Sequence, residues 1–343
     1  MKRVRLAFTP TPIVHSAALD ALVGAKVFVK RDDMTGGAEA GNKIRKLEYL
    51  VAEGQARSAN VLLTCGAVQS NHARATAIVA ARLGLRAILF LRTGEGPTSV
   101  ETPAPKAALP TAGNALLDRL VGAEIRLVSA AEYATRDTFL EAEAERLRGR
   151  GERPYVIPEG GSNGLGALGY VQCAREVREQ VDLGLVDGAK ARAFAFDEVA
   201  VACGSGGTVA GLALGAPLAR LAPRVRSVSV CDDAGYFRRV VGRIVHQARG
   251  YDDTLQAEAE LCFDDAALGP RYGAMSDDQR AFLVRIARGT GLLLDPVYSG
   301  KALYAVHLAA KRGELSPESR VLFIHTGGLP GLLAEGAAFA GEL

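Results

Sequence analysis

Short apolar runs that end in glycine or polar turns alternate along this chain with longer amphipathic runs, and few folds accommodate that rhythm. The apolar runs are "NVLLTCG", "RAILFLR", "AEIRLVS", "PYVIPEGG", "EVAVACGSGG", "RSVSVCDD" and "RVLFIHTGG". Between them stand helical patterns such as "NHARATAIVAARLG", "GALGYVQCAREVREQV", "TVAGLALGAPLARL" and "DQRAFLVRIARGTG". Strand, helix, strand at this spacing predicts parallel sheets covered by helices, an α/β fold. The 343 residues are enough for two domains. In such sheets ligands bind outside the carboxyl ends of the strands. Polar or glycine-rich turns follow the strand runs at 66–71, 159–163, 204–208 and 325–328. Together they predict one ligand site fed by several loops.

Composition narrows the partners. With 41 basic against 38 acidic residues the formal charge is only +3, so no nucleic acid is expected. No membrane partner is expected either, because no run of apolar residues is long enough to span one. "MKRVRLAFTPTP" lacks the apolar core of a signal peptide, which favours a cytoplasmic location. Cys65, Cys173, Cys203, Cys231 and Cys262 are widely spaced, as reduced thiols are, and give no disulfide framework or zinc site. His15, His72, His246, His307 and His325 show no ligand spacing, so no metal is expected. Residues 93–113 read as an extended loop, and "EAEAERLRGRGERP" as a solvated helical face.

"VACGSGGTVAGLAL" leads from a buried strand through Gly204, Ser205, Gly206 and Gly207 into a helix near Thr208. Backbone N–H groups there can approach an anion closely, and the helix dipole favours it. The spacing fits neither a Walker A loop nor G-x-G-x-x-G, which points to a phosphorylated ligand smaller than a nucleotide. "GNKIRKLEYL" begins another helix, since Ile44, Leu47 and Val51 recur at helical spacing. Lys43, Arg45 and Lys46 then lie in its first turn, where the dipole disfavours cations. The dipole and the cationic neighbours favour the neutral amine of Lys43, the form that attacks an aldehyde. A phosphate cradle with a nucleophilic lysine suits pyridoxal phosphate.

"GNKIRKLEYL", "GAVQSNHARATA", "PEGGSNGLGALGY", "CGSGGTVAGL", "LLLDPVYSGKA" and "FIHTGG" occur in this order. Together they closely resemble the D-cysteine desulfhydrase and 1-aminocyclopropane-1-carboxylate deaminase family of pyridoxal phosphate enzymes, of fold type II. The resemblance runs from "TPTPI" to the final "HTGG". It implies two three-layer α/β domains with the cofactor in the cleft between them. The larger would comprise 1–46 and 160–343, the smaller 47–159.

Residue by residue, the resemblance implies that Lys43 carries the cofactor and moves the substrate α-proton. Asn71 would contact the cofactor's phenolate oxygen, and residues 204–208 its phosphate. Ser70, with the N–H groups after it, would hold the substrate carboxylate. His72 and Tyr298 would line the substrate side, as would Tyr272, and a phenol there can transfer a proton. Deaminase members resemble this chain except for a glutamate after the tyrosine of D-P-V-Y and a leucine in the H-x-G-G turn. Here those positions are Ser299 and Thr326, as in the desulfhydrase branch. A carboxylate near the pyridine nitrogen strengthens the electron sink, whereas a hydroxyl leaves it weaker. The reaction expected is therefore elimination from D-cysteine by a homodimer acting on a small amino acid. The alternatives are aminocyclopropane carboxylate deamination, elimination from another β-substituted alanine such as cysteate, and a cofactor carrier or regulator without turnover.

Overall fold

A computed structural model describes residues 1–94, 98–186, 195–270 and 273–341. Along the chain run β1 (Ile13–His15), α1 (Ala17–Val23), β2 (Lys26–Lys30), α2 (Asn42–Ala56), β3 (Val61–Ala67), α3 (Asn71–Arg82), β4 (Arg86–Arg92), α4 (Gly113–Leu120), β5 (Glu124–Val128), α5 (Ala130–Tyr133), α6 (Arg136–Arg148), β6 (Pro154–Val156), α7 (Gly164–Asp182), β7 (Glu198–Cys203), α8 (Gly207–Leu218), β8 (Arg224–Ser229), α9 (Ala234–Arg249), β9 (Glu260–Asp264), α10 (Asp277–Thr290), α11 (Ser299–Lys311), β10 (Arg320–Ile324) and α12 (Leu329–Ala334). Each apolar run of the sequence forms a strand. Parallel strands covered on both faces are apolar throughout, and all six residues of β7 are buried.

The strands form two sheets, one ordered β1-β2-β10-β7-β8-β9 and the other β5-β4-β3-β6. Every pairing is parallel except that of β1 with β2. The last strand, β10, enters between β2 and β7, with Ile324 opposite Lys30 and Phe323 opposite Ala200. This insertion carries "HTGG" to the carboxyl ends of β2 and β7. The four-stranded sheet is built from residues 61–156 alone. The expected boundary at 46/47 falls inside α2, which runs unbroken from Asn42 to Ala56.

Apolar helices close the core between the sheets. A Cβ on Gly211 of α8 would lie 2.2 Å from the Ala167 carbonyl of α7, so glycine is what lets these helices meet. Leu50, Tyr170, Val177, Leu212 and Leu214 are buried in the cluster that joins α2, α7 and α8. The 93–113 excursion is tied along the edge of β5. Ser99 N–H donates to the Leu127 carbonyl at 2.8 Å and Ala104 N–H to that of Ile125 at 2.8 Å. Residues 95–97 of it lie outside the described residues. Among the described residues no helix is long and apolar enough to cross a membrane.

Candidate active site

Lys43 is the second residue of α2, whose entry is fixed by Gly41 at φ +127°. The Asn42 N–H donates to the Thr326 carbonyl at 3.1 Å, joining this helix start to the end of β10. Lys43 lines a pocket shared with Gly66, Ser70, Asn71, His72, Gly204–Gly206, Thr208, Tyr298 and Thr326. Burial pushes its ammonium down to about 8, although the facing Cys203, Glu159 and Asp295 pull the other way. Lys46, one turn on along the same helix face, lines the pocket too and is held well below the ordinary lysine value. The causes are its burial and then the charge of Lys43.

These shifts carry a consequence for pH. An unfolded chain keeps the Lys43 proton up to about its ordinary 10.5, whereas the folded protein without cofactor releases it near 8. Between those values the unfolded state binds more protons, so stability rises with pH. The urea midpoint of the cofactor-free protein should climb across this window. Lys43→Met should flatten the climb by up to about 1.4 kcal/mol per pH unit. Parallel curves for the two proteins would contradict the shift.

Opposite the lysines, β7 runs through Gly206, in a left-handed conformation at φ +84°, into the N-terminus of α8. Ser162, from the turn after β6, caps this cradle. Its Oγ accepts from the Gly207 N–H at 3.2 Å and from Lys46 Nζ at 3.1 Å, and lies 2.8 Å from Ser205 Oγ. Asn42 Nδ2 donates to Thr208 Oγ1 at 3.0 Å. A Cβ on Gly207 would stand 2.7 Å from Ser162 Oγ and 2.9 Å from Lys46 Nζ. Gly207→Ala should therefore weaken phosphate and cofactor binding by about tenfold or more, the scale of one lost charge-assisted contact. Fluorescence titration with pyridoxal phosphate measures this, and an unchanged dissociation constant would remove the cradle's role.

On the facing side, Ser70 caps α3 and accepts from the Ala73 N–H at 3.2 Å, so this helix N-terminus also opens on the pocket. His72 is buried, with Nε2 2.8 Å from Thr64 Oγ1. Burial, then the charges of Lys43 and Lys46, keep it well below the usual histidine range, so it is neutral. The Tyr298 ring walls the pocket against Gly204, where a Cβ would lie 2.9 Å from Tyr298 Cε1. Burial pushes the Cys65 thiol up to about 12 and that of Cys203 up to about 11, leaving both as packing groups. Tyr272 lies outside the described residues.

Ser299 is the first residue of α11. It is fully buried and does not line the pocket, and its hydroxyl donates to Asp295 Oδ1 at 2.5 Å. The Asp295 N–H in turn donates to Ser299 Oγ at 2.9 Å. Thr326 is the short hydroxyl residue of the pair that lines the pocket. The sequence reading placed the 159–163 turn, with Gly160 and Ser162, at the site, but missed Asn42 and Lys46 as pocket groups. Only Lys46 left a signal, its spacing of three from Lys43.

Among the described residues no group of His, Cys, Asp or Glu could hold a metal ion. The pocket instead fits pyridoxal phosphate: a cradle sized by Gly207 for the phosphate, and a lysine with a depressed pKa for the aldehyde. A family model described as pyridoxal-phosphate dependent enzyme matches residues 4–327. The bifunctional D-cysteine desulfhydrase/1-aminocyclopropane-1-carboxylate deaminase of Arabidopsis thaliana is 41% identical over 95% of this chain and 78% of its own. The D-cysteine desulfhydrase of Klebsiella pneumoniae is 39% identical over 97% of this chain and 95% of its own. A crystal structure of an ACC deaminase homologue superposes with a TM-score of 0.85 at 35% identity, covering 100% of this chain and 97% of that one. A fungal L-serine ammonia-lyase from Rhizomucor miehei, at 19% identity and a TM-score of 0.62, shares the fold. By the match of its sequence over nearly its whole length, the chain belongs to the pyridoxal-phosphate dependent enzyme family.

Proposed function

We propose that the protein catalyses α,β-elimination on a β-substituted amino acid, with D-cysteine as substrate and pyruvate, ammonia and hydrogen sulfide as products. The observation that carries this reading is that two helix N-termini, of α3 and α8, open on the pocket that holds Lys43. Each is an anion site, one for the cofactor phosphate and one for the substrate carboxylate. Bound pyridoxal phosphate supplies the electron sink for a bond broken at Cα. The chain's own groups do the rest. Residues 204–208 grip the phosphate, with Ser162 and Lys46 behind them. Ser70 and the N–H groups after it orient the carboxylate, and Asn71 meets the phenolate oxygen. The Lys43 amine, which gives up its own proton more readily than an ordinary lysine, takes the proton from Cα, and Tyr298 faces the departing β-substituent. In water the released enamine gives pyruvate and ammonia.

Thr326 supports elimination over ring opening, because it presents a hydroxyl where a branched apolar group would otherwise wall the pocket. A pyruvate-release screen over D- and L-β-substituted alanines, with 2-oxobutyrate measured from aminocyclopropane carboxylate, tests the reading. D-cysteine should lead, and Thr326→Leu should shift the ratio towards 2-oxobutyrate. A wild-type preference for aminocyclopropane carboxylate would overturn it, and the absence of any 2-oxo acid would favour a carrier. We also propose that the two sheets mark the two domains, and that the protein works as a cytoplasmic homodimer. Sedimentation reads the last of these.

A further inference from the structure

The amide of Asn71 has a donor end and an acceptor end, and only the donor end suits an anionic oxygen. Which end faces the pocket is decided outside it, by Asn114. This residue is the second of α4, is fully buried, and is reached from Asn71 across 43 positions of sequence. Its Nδ2 donates to the Gln69 carbonyl at 2.9 Å and to Asn71 Oδ1 at 3.1 Å. Its own N–H donates to Gln69 Oε1 at 2.8 Å, and Gln69 Nε2 donates to the Ala112 carbonyl at 3.2 Å.

A backbone carbonyl only accepts, so the Gln69 oxygen forces the NH₂ end of Asn114 towards it. The second hydrogen of that NH₂ then points at Asn71, which must answer with its oxygen. Asn71 Nδ2 is left for the pocket that Asn71 lines. The start of α4 is itself pinned: Gly113 has φ +60°, and a Cβ there would stand 2.4 Å from Gln69 Oε1 and 2.8 Å from the Pro330 carbonyl.

We infer that Asn114 is a positioning residue of this site, which makes Asn71 present a hydrogen-bond donor to the cofactor. The inference rests on the reading of the pocket as a pyridoxal phosphate site. Without Asn114 the Asn71 amide is free to turn, and an anionic cofactor oxygen loses a fixed donor and becomes more basic. The test titrates the visible absorption band of the holoenzyme with pH. In Asn114→Leu the midpoint should move up by about one pH unit, the scale of one hydrogen bond to a charged group. In an Asn71→Ala background, Asn114→Leu should add no further shift, since its effect passes through Asn71. Asn114→Asp, of the same size, should move the midpoint up as well if the leucine variant fails to fold, because its carboxylate accepts from Asn71 Nδ2 and turns the Asn71 oxygen to the pocket. A carboxylate has no hydrogen for Asn71. An unchanged midpoint in the single variant, or a further shift of the same size on the Asn71→Ala background, would overturn the inference. A wild-type protein with no visible band would overturn the cofactor reading beneath it, and so the two failures are told apart.

Discussion

Replacing Lys43 by alanine is expected to lower pyruvate release by at least about 10³-fold, because on the proposed reading one residue would both carry the cofactor and move the α-proton. Proton transfer by a positioned group alone is worth about 10² to 10⁴. The fold should survive. Lys43 makes no ion pair among the described residues, and its buried end holds a charge that burial disfavours. The cofactor-free variant should therefore be at least as stable as the wild type near neutral pH. Lys46 is the control, since it lies one turn along the same pocket and its proton affinity is also depressed by burial. Borohydride treatment of the holoenzyme should fix the cofactor to the peptide containing Lys43. Activity within about tenfold of wild type, or the cofactor fixed on Lys46 or Lys301, would sink the assignment.

The same three cations show what the sequence could reveal. Lys43 stands out on its own, because a cation in the first turn of a helix works against the dipole. Spacing then separates its neighbours. Positions three apart share a face, so Lys46 enters the pocket with Lys43 while Arg45 points the other way. For Lys43 itself burial does the depressing, whereas the charge of Lys43 acts on Lys46. Ser162 is legible only as part of the 159–163 turn, since its contact with Lys46 joins residues 116 apart.

The strands divide likewise. The apolar runs that became β3, β4, β7, β8 and β10 are buried on both faces and read as continuous hydrophobic segments. By contrast, β1, β2 and β9 escaped the sequence reading. At three residues, β1 is too short for a pattern, and β9 is an edge strand exposed at Glu260. The lysines at both ends of β2 look like solvent-facing residues, yet Lys30 is fully buried and donates to Glu176 Oε1 at 2.6 Å. Burial of a charge depends on a partner from a distant helix, and that partner is invisible locally.

That partner belongs to a network whose disruption should cost the most stability in the molecule. The Arg45 guanidinium donates to both oxygens of Asp32, at 2.8 and 2.7 Å, and to both of Glu176, at 2.9 and 2.9 Å. Lys30 closes the set on Glu176 and on Gln180 Oε1 at 2.6 Å, and the Tyr170 hydroxyl donates to Asp32 Oδ2 at 2.6 Å. Two cations and two carboxylates thus balance inside the fold and lock α2 to β2 and α7. Burial by itself would raise the Asp32 carboxyl, but the charge and hydrogen bonds of Arg45 hold it below the usual range. Glu176 is likewise depressed, with Arg45 again outweighing burial.

Arg45→Ala should therefore cost about 3–5 kcal/mol in urea unfolding, because it leaves two buried carboxylates to share one lysine. Arg45→Lys should recover only part, since an ammonium cannot match two carboxylates with a planar fork. The pH dependence separates this from a simple cavity. A depressed carboxyl stabilises the fold above its ordinary pKa and loses that contribution as pH falls through the lower folded value. In wild type the two carboxyls thus contribute an acid-side loss of stability, and in Arg45→Ala that slope should flatten. A cavity would lower the whole curve and keep its shape. Stability within about 1 kcal/mol of wild type, with the acid limb unchanged, would mean that the network orders α2 without holding the fold together. Lys43 would then owe its place to the packing of α2 on α7 instead of to the charges beneath it.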